Sequence, residues 1–206
     1  MIRIWGRVNS VNVQKVLWAL VELDLAYERT DAGHKFGVVD SPAYRAMNPN
    51  ALVPTMDDDG FIIWESNVIV RYLAAKYGMG RLCPAELRQR FTAECWMDWQ
   101  QTALNPPISG VFWNLVRLPP EERDASAVAK HREQAERALA VLDERLGLGG
   151  YVAGDSFTMA DIPAGASASR WNKLPIERRR HPHVDRWLAR LAERPGFHAH
   201  VDQPLS

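Results

Sequence analysis

The sequence predicts a small α/β domain followed by a larger all-α domain. Strands and helices alternate through the first eighty or so residues, and only helical periodicity follows from about Ala85. Between the two, over residues 79–84, the composition shifts. The expected boundaries are therefore residues 1–78 and 85–206, which a chain of 206 residues can accommodate as two modest cores.

Ile2-Arg3-Ile4-Trp5 alternates as a short strand, and residues 6–9 break it. Val13, Val16, Leu17, Leu20 and Val21 recur at three- and four-residue steps, the stripe of a first helix that Asp24 and Leu25 close. Residues 26–30 follow as a second strand. Residues 31–50 contain Gly33, Gly37, Pro42 and Pro49 and predict loop with a short helical turn. Val53-Pro54-Thr55-Met56 leads into a strand, Asp57-Asp58-Asp59-Gly60 turns the chain, and Phe61-Ile62-Ile63-Trp64 returns. Ser66 is placed to cap the next helix, with Ile69, Tyr72 and Leu73 facing the core. The order is βαβ, then ββα.

Beyond Ala85 every stripe is helical. Trp96, Trp99 and Leu104 mark a long helix that Pro106-Pro107 should stop or kink. Pro119-Pro120-Glu121-Glu122 opens another, striped by Ala135, Leu139, Leu142 and Leu146 and ended by residues 147–150. Thr158-Met159-Ala160-Asp161 starts a third, with a Thr and an acid three residues on in a near capping box. Val184, Trp187, Leu188 and Leu191 stripe a fourth, which Pro195-Gly196 ends.

Composition narrows the function classes. Apolar residues make up 47% and charged residues 24%, the balance of a folded chain. Lys plus Arg and Asp plus Glu are both 25, so no net field favours nucleic acid, and an anionic ligand must be held by local geometry. The longest apolar runs, such as residues 16–21, fall far short of the roughly twenty residues a bilayer requires, and the first residues lack signal-peptide order. Two cysteines, Cys83 and Cys95, form no CxxC, which points to a reducing cytoplasm. His181-Pro182-His183 and His198-Ala199-His200 lack an accompanying carboxylate cluster, so no metal is expected. Glu177-Arg178-Arg179-Arg180 reads as a solvated loop.

Three local patterns then coincide. Val53-Pro54 before a strand, with Glu65-Ser66 opening the helix NVIVRYLAAKY, resembles the glutathione-site segment of glutathione S-transferases. Gly154-Asp155-Ser156-Phe157-Thr158-Met159-Ala160-Asp161 resembles the capping motif of that family's helical domain, and Ser10-Val11-Asn12-Val13-Gln14-Lys15-Val16 the first turn and helix of its bacterial, theta-like members. The resemblance runs along essentially the whole chain, in order.

The resemblance implies a thioredoxin-like first domain, glutathione as co-substrate, and a detoxifying homodimer acting on small hydrophobic electrophiles. It implies that Val53, before a cis Pro54, pairs its backbone with glutathione like an added strand. It places Glu65 and Ser66 on the γ-glutamyl group, Asn9 beside the tripeptide, and Lys35 or its neighbour His34 on the glycine carboxylate. Asp98 would reach the glutathione amine of a partner subunit. Phe112, Trp113 and Trp171 would wall the hydrophobic-substrate side. A free thiol of pKa about 8.5 is only a few per cent ionised at neutral pH, so a donor aimed at sulfur beside a helix N-terminus is required. Ser10 falls on the theta-like serine, with Asn12 as the nearest second donor. Neither the cysteine of the family's redox branch nor a catalytic tyrosine occurs at this turn. Two alternatives stay open: glutathione-dependent disulfide or peroxide reduction on the same thiolate, and a binding module without turnover. Retention of Ser10, Val53-Pro54 and Glu65-Ser66 favours glutathione binding over the module.

Overall fold

A computed structural model describes residues 1–205. Strands β1 (Ile2–Trp5), β2 (Tyr27–Thr30), β3 (Thr55–Asp58) and β4 (Phe61–Trp64) form one sheet in the order β2-β1-β3-β4. Helix α1 (Val11–Glu22) crosses over from β1 to the parallel β2, with Ile2 opposite Tyr27. After the short α2 (Pro42–Met47), β3 runs antiparallel to β1, with Ile2 opposite Asp58, and β4 returns beside it before α3 (Ser66–Tyr77). The β3–β4 turn needs two left-handed residues, which Asp59 (φ 52°) and Gly60 (φ 92°) supply. Asp57 Oδ1 accepts the Gly60 amide at 2.6 Å and holds the turn.

Helix α1 is apolar on more than one side because it packs against more than one layer. Val13, Val16, Leu17, Trp18 and Leu20 are all buried, with α3 on one flank and α7 and α9 on the other. Trp18 donates to Glu22 Oε1 at 2.8 Å and meets Phe197 edge-on at 5.2 Å. A Cβ at Gly196 would lie 2.4 Å from Trp18 Cδ1 and 2.9 Å from the Trp18 carbonyl oxygen. Backbone cannot yield as a flexible side chain does, so Gly196→Ala is expected to lower stability by about 1–3 kcal/mol, read as a fall in the urea midpoint.

The remaining helices are α4 (Leu87–Trp99), α5 (Asn105–Phe112), α6 (Ala125–Leu148), α7 (Asp161–Lys173), α8 (Pro182–Ala192) and α9 (Pro195–His200). Several depart from expectation. Pro106-Pro107 does not break the chain direction: a π-helical turn, Gln100–Leu104, leads into α5, whose first turn has no need of the two missing amides. A second π turn, Trp113–Arg117, follows α5. Pro120–Glu122 is a separate 3₁₀ turn, because Arg123 is extended; α6 starts after Asp124, whose Oδ1 accepts the Ser126 and Ala127 amides at 2.8 and 3.0 Å. Ser66 is the first residue of α3 rather than its cap, because Glu65 takes the cap position at φ 69°. Pro195-Gly196 follows the end of α8 and also opens α9.

The start of α7 is built as a reciprocal cap. Asp161 Oδ2 accepts the Thr158 amide at 2.9 Å while Thr158 Oγ1 accepts the Ala160 amide at 3.3 Å. Asp161 Oδ1 accepts Val152 N at 2.9 Å and Trp187 Nε1 at 3.0 Å, tying the preceding loop and α8 to the same carboxylate.

Candidate active site

A cleft of about 350 Å³ opens where the β1–α1 turn meets α5 and the π turn after it. One wall comes from the α/β part: Arg7, Asn9, Ser10 and Asn12 from the turn and the start of α1, Gly33 and His34 from the loop after β2, and Val53 before β3. The other comes from the helical part: Asn105, Ser109, Phe112, Trp113, Arg117 and Arg170.

Ser10 holds the N-cap position of α1 (φ −86°, ψ 121°), yet its hydroxyl makes no capping bond. Its backbone alone serves the helix, accepting Gln14 N at 2.9 Å. The hydroxyl is thus available in the cleft at the positive end of a twelve-residue helix. Asn12, the second residue of the same helix, has a buried Oδ1 with no hydrogen-bond partner among the described residues, so its amide is not committed elsewhere through that oxygen.

Val53-Pro54 is a cis peptide, and Val53 lines the cleft while Pro54 is buried behind it. Gly33 makes room there: at φ +80°, a Cβ would come within 3.0 Å of Arg7 Nη1 and 3.3 Å of Val53 Cγ1. His34, not Lys35, lines the cleft; Lys35 is exposed with its ammonium 5.2 Å from the Phe36 ring. Phe112 and Trp113 both line the helical wall. Trp171 does not: it is buried among core residues, because α7 is covered on nearly all sides over residues 161–169 and residue 171 shares that cover. Asp98 is exposed on α4 and ion-paired to Arg71, away from the cleft lining.

Glu65 and Ser66 sit at the start of α3, and a residue given no site role by the sequence connects them to the cleft helix. Lys15, fully buried on α1, donates to Ser66 Oγ at 3.4 Å and Asn67 Oδ1 at 3.2 Å. Asn67 Nδ2 donates to Met97 O at 2.9 Å and Gln100 Oε1 at 3.0 Å, and Gln100 Nε2 to Ser167 Oγ at 2.8 Å. This buried chain joins α1, α3, the π turn before α5 and α7. Burial, with Arg170 repelling and the Glu65 carboxylate partly compensating, brings the Lys15 ammonium down to about 7. Above that pH the folded chain lacks a proton that the unfolded chain keeps until about 10.4, so stability rises with pH across this window. Between pH 7 and 9, wild type should gain up to about 2.7 kcal/mol relative to Lys15→Met, measured by urea unfolding at both pH values.

Arg7, Arg117 and Arg170 were also not singled out as site residues in the sequence. Arg170 is the first charged residue of α7 after Asp161, at the end of its nine buried positions. Phe112 meets two cations, with Arg170 Cζ 4.2 Å and Arg117 Cζ 5.4 Å from its ring centre. Among the described residues no group of three or more His, Cys, Asp or Glu is placed to hold a metal ion, and no helix is long and apolar enough to cross a membrane.

Family models match in chain order: "Glutathione S-transferase, N-terminal domain" over residues 1–75 and "Glutathione S-transferase, C-terminal domain" over residues 104–195. The chain is 41% identical to glutathione S-transferase GstB of Escherichia coli K12 over 208 aligned positions, covering 100% of both. It is 31% identical to glutathione S-transferase 3 of Zea mays, covering 95% of this chain and 91% of that one. Among solved structures, the theta class glutathione S-transferase of Xanthomonas axonopodis pv. citri with glutathione bound superposes with a TM-score of 0.96 at 42% identity, over 100% of this chain and 99% of that one.

Proposed function

The chain belongs to the glutathione S-transferase family, transferases that use glutathione as co-substrate, and we propose that Ser10 activates the glutathione thiol in the cleft between β1–α1 and α5. The observation that carries this reading is the uncapped Ser10 hydroxyl at the N-terminus of α1, inside the cleft. Glutathione lies along the α/β wall, its cysteine backbone paired to Val53, its γ-glutamyl group at Glu65 and Ser66, its glycine toward His34. Asn9 borders the thiol, and Asn12 Nδ2 is the second donor.

The chemistry follows from charge. Ser10 donates its hydroxyl proton in a hydrogen bond to sulfur and stabilises the thiolate over the thiol. The N-terminal dipole of α1 and the positive field of the three cleft arginines act in the same direction. The thiol proton leaves to solvent. Sulfur, fixed against the helical wall, attacks the electrophilic carbon; a C–S bond forms, and in a substitution the leaving group departs with its bonding pair. Phe112 and Trp113 supply the apolar surface for the electrophile.

Two further features belong to this reading. A homodimer is proposed: Phe61, Trp64, Val68, Leu87 and Phe91 are exposed on β4, α3 and α4, and sedimentation should give about twice the 23.3 kDa chain mass. A reducing cytoplasm suits two free cysteines and a reduced thiol co-substrate.

Calorimetric titration tests glutathione placement. Wild type is expected to bind glutathione, and Glu65→Gln to weaken it about 10-fold or more, the effect of losing a charged hydrogen-bond partner of the γ-glutamyl amine. Absence of heat at millimolar glutathione would contradict the assignment.

A further inference from the structure

We propose that the helical wall of the cleft selects electrophiles bearing an anionic group, a carboxylate or a small anion of similar shape, beside the reacting carbon. The proposal rests on the transferase reading and names the substrate class of that same site.

Three guanidinium groups, Arg7, Arg117 and Arg170, line one cleft, and no Asp or Glu lines it. The chain as a whole carries 25 cationic and 25 acidic residues, so this local excess is not inherited from composition. Among the described residues none of the three guanidinium groups has a hydrogen bond or an ion pair, and the Nε atoms of Arg7 and Arg117 are buried without a partner. Their mutual repulsion is visible in Arg170, which burial and then Arg117 and Arg7 bring down to about 10, still protonated at neutral pH. Arg7 is lowered by burial and by Arg117. A half-buried cluster of like charges is costly unless an anion completes it.

Glutathione does not account for all three. Its thiolate sits at Ser10 near Arg7, and its two carboxylates belong to the α3 start and the His34 loop. Arg117 and Arg170 come instead from the helical wall, stacked about Phe112 beside Trp113. An aromatic or short alkyl electrophile on that apolar surface brings a neighbouring carboxylate within reach of planar, bidentate donors.

A matched pair tests it: 2-chloro-5-nitrobenzoate and 2-chloro-5-nitrobenzamide, in which the carboxylate or amide is ortho to the carbon bearing chlorine. In both, the glutathione thiolate attacks the carbon bearing chlorine, a C–S bond forms, and chloride leaves with the C–Cl bonding pair. The carboxylate or amide is unchanged, and the thiol proton has already gone to solvent. With each kcat/KM divided by its uncatalysed rate constant, wild type should prefer the carboxylate about 10- to 100-fold, as a charge-assisted contact allows. Arg117→Ala should bring that ratio down about 10-fold, and Arg117→Lys should restore part of it while confirming that the site folds. A wild-type ratio near one, or one that Arg117→Ala leaves unchanged, overturns the proposal. An unchanged ratio with a weakened glutathione dissociation constant also overturns it, by assigning Arg117 to the tripeptide's own carboxylate. No glutathione binding and no turnover of either compound would sink the transferase reading itself; binding with turnover but no preference sinks only the anion selection.

Discussion

Ser10→Ala is expected to lower kcat/KM for a neutral electrophile about 100-fold, with the thermal midpoint nearly unchanged. The two halves of that expectation come from one observation. Because the Ser10 hydroxyl makes no capping bond, its removal leaves α1 its backbone bonds and little stability is lost. In the proposed role the hydroxyl is directed at the developing charge on sulfur, so its loss should have the scale measured when one preorganised donor is deleted from an anion-stabilising site, about 2.7 kcal/mol or more. With Asn12 as the proposed second donor to the same atom, Ser10→Ala with Asn12→Ala should fall further than either alone, and non-additively. A drop in stability that parallels the drop in rate would return Ser10 to a helix-capping role.

Asp161→Ala is expected to remove about 4 kcal/mol or more of stability, a large share of what a domain has. The carboxylate is fully buried, and burial pushes it up to about 6 while the Val152, Thr158 and Trp187 donors pull it back, so it is ionised at neutral pH. Truncation leaves three buried N–H groups unpaired at about 1–3 kcal/mol each, with coupling between them. Asp161→Asn keeps one oxygen for Val152 and Trp187 but turns a donor toward the Thr158 amide, so it should lie between wild type and alanine. Urea midpoints, followed by tryptophan fluorescence, check the order.

The alternation of strands and helices, the Asp59-Gly60 turn and the stripe of α1 were legible because each is a local pattern with one physical reading. The π turns were not, since they arise from how α4 and α5 accommodate Pro106 and Pro107 within one continuous path. Trp171 was misplaced for a related reason: periodicity identifies a buried face only when another face is exposed, and α7 has almost none. Ser10, Asn12, Val53, Phe112 and Trp113 converge on the cleft from motifs that were each visible locally. Arg7, Arg117 and Arg170 are more than fifty positions apart from one another in sequence, and nothing in a local window marks them as neighbours. Lys15 hid in the same way, a charge inside an apolar stripe that only the buried chain through Asn67 and Gln100 explains.

The most direct test of the account is the thiolate absorbance of bound glutathione, titrated with pH in wild type and Ser10→Ala. In wild type the bound thiol should ionise about two pH units below the free value of about 8.5, and the substitution should move it back toward that value. A bound thiol that titrates like free glutathione in wild type, or one whose depressed pKa survives the loss of Ser10, would contradict the assignment of Ser10 as the group that makes the nucleophile.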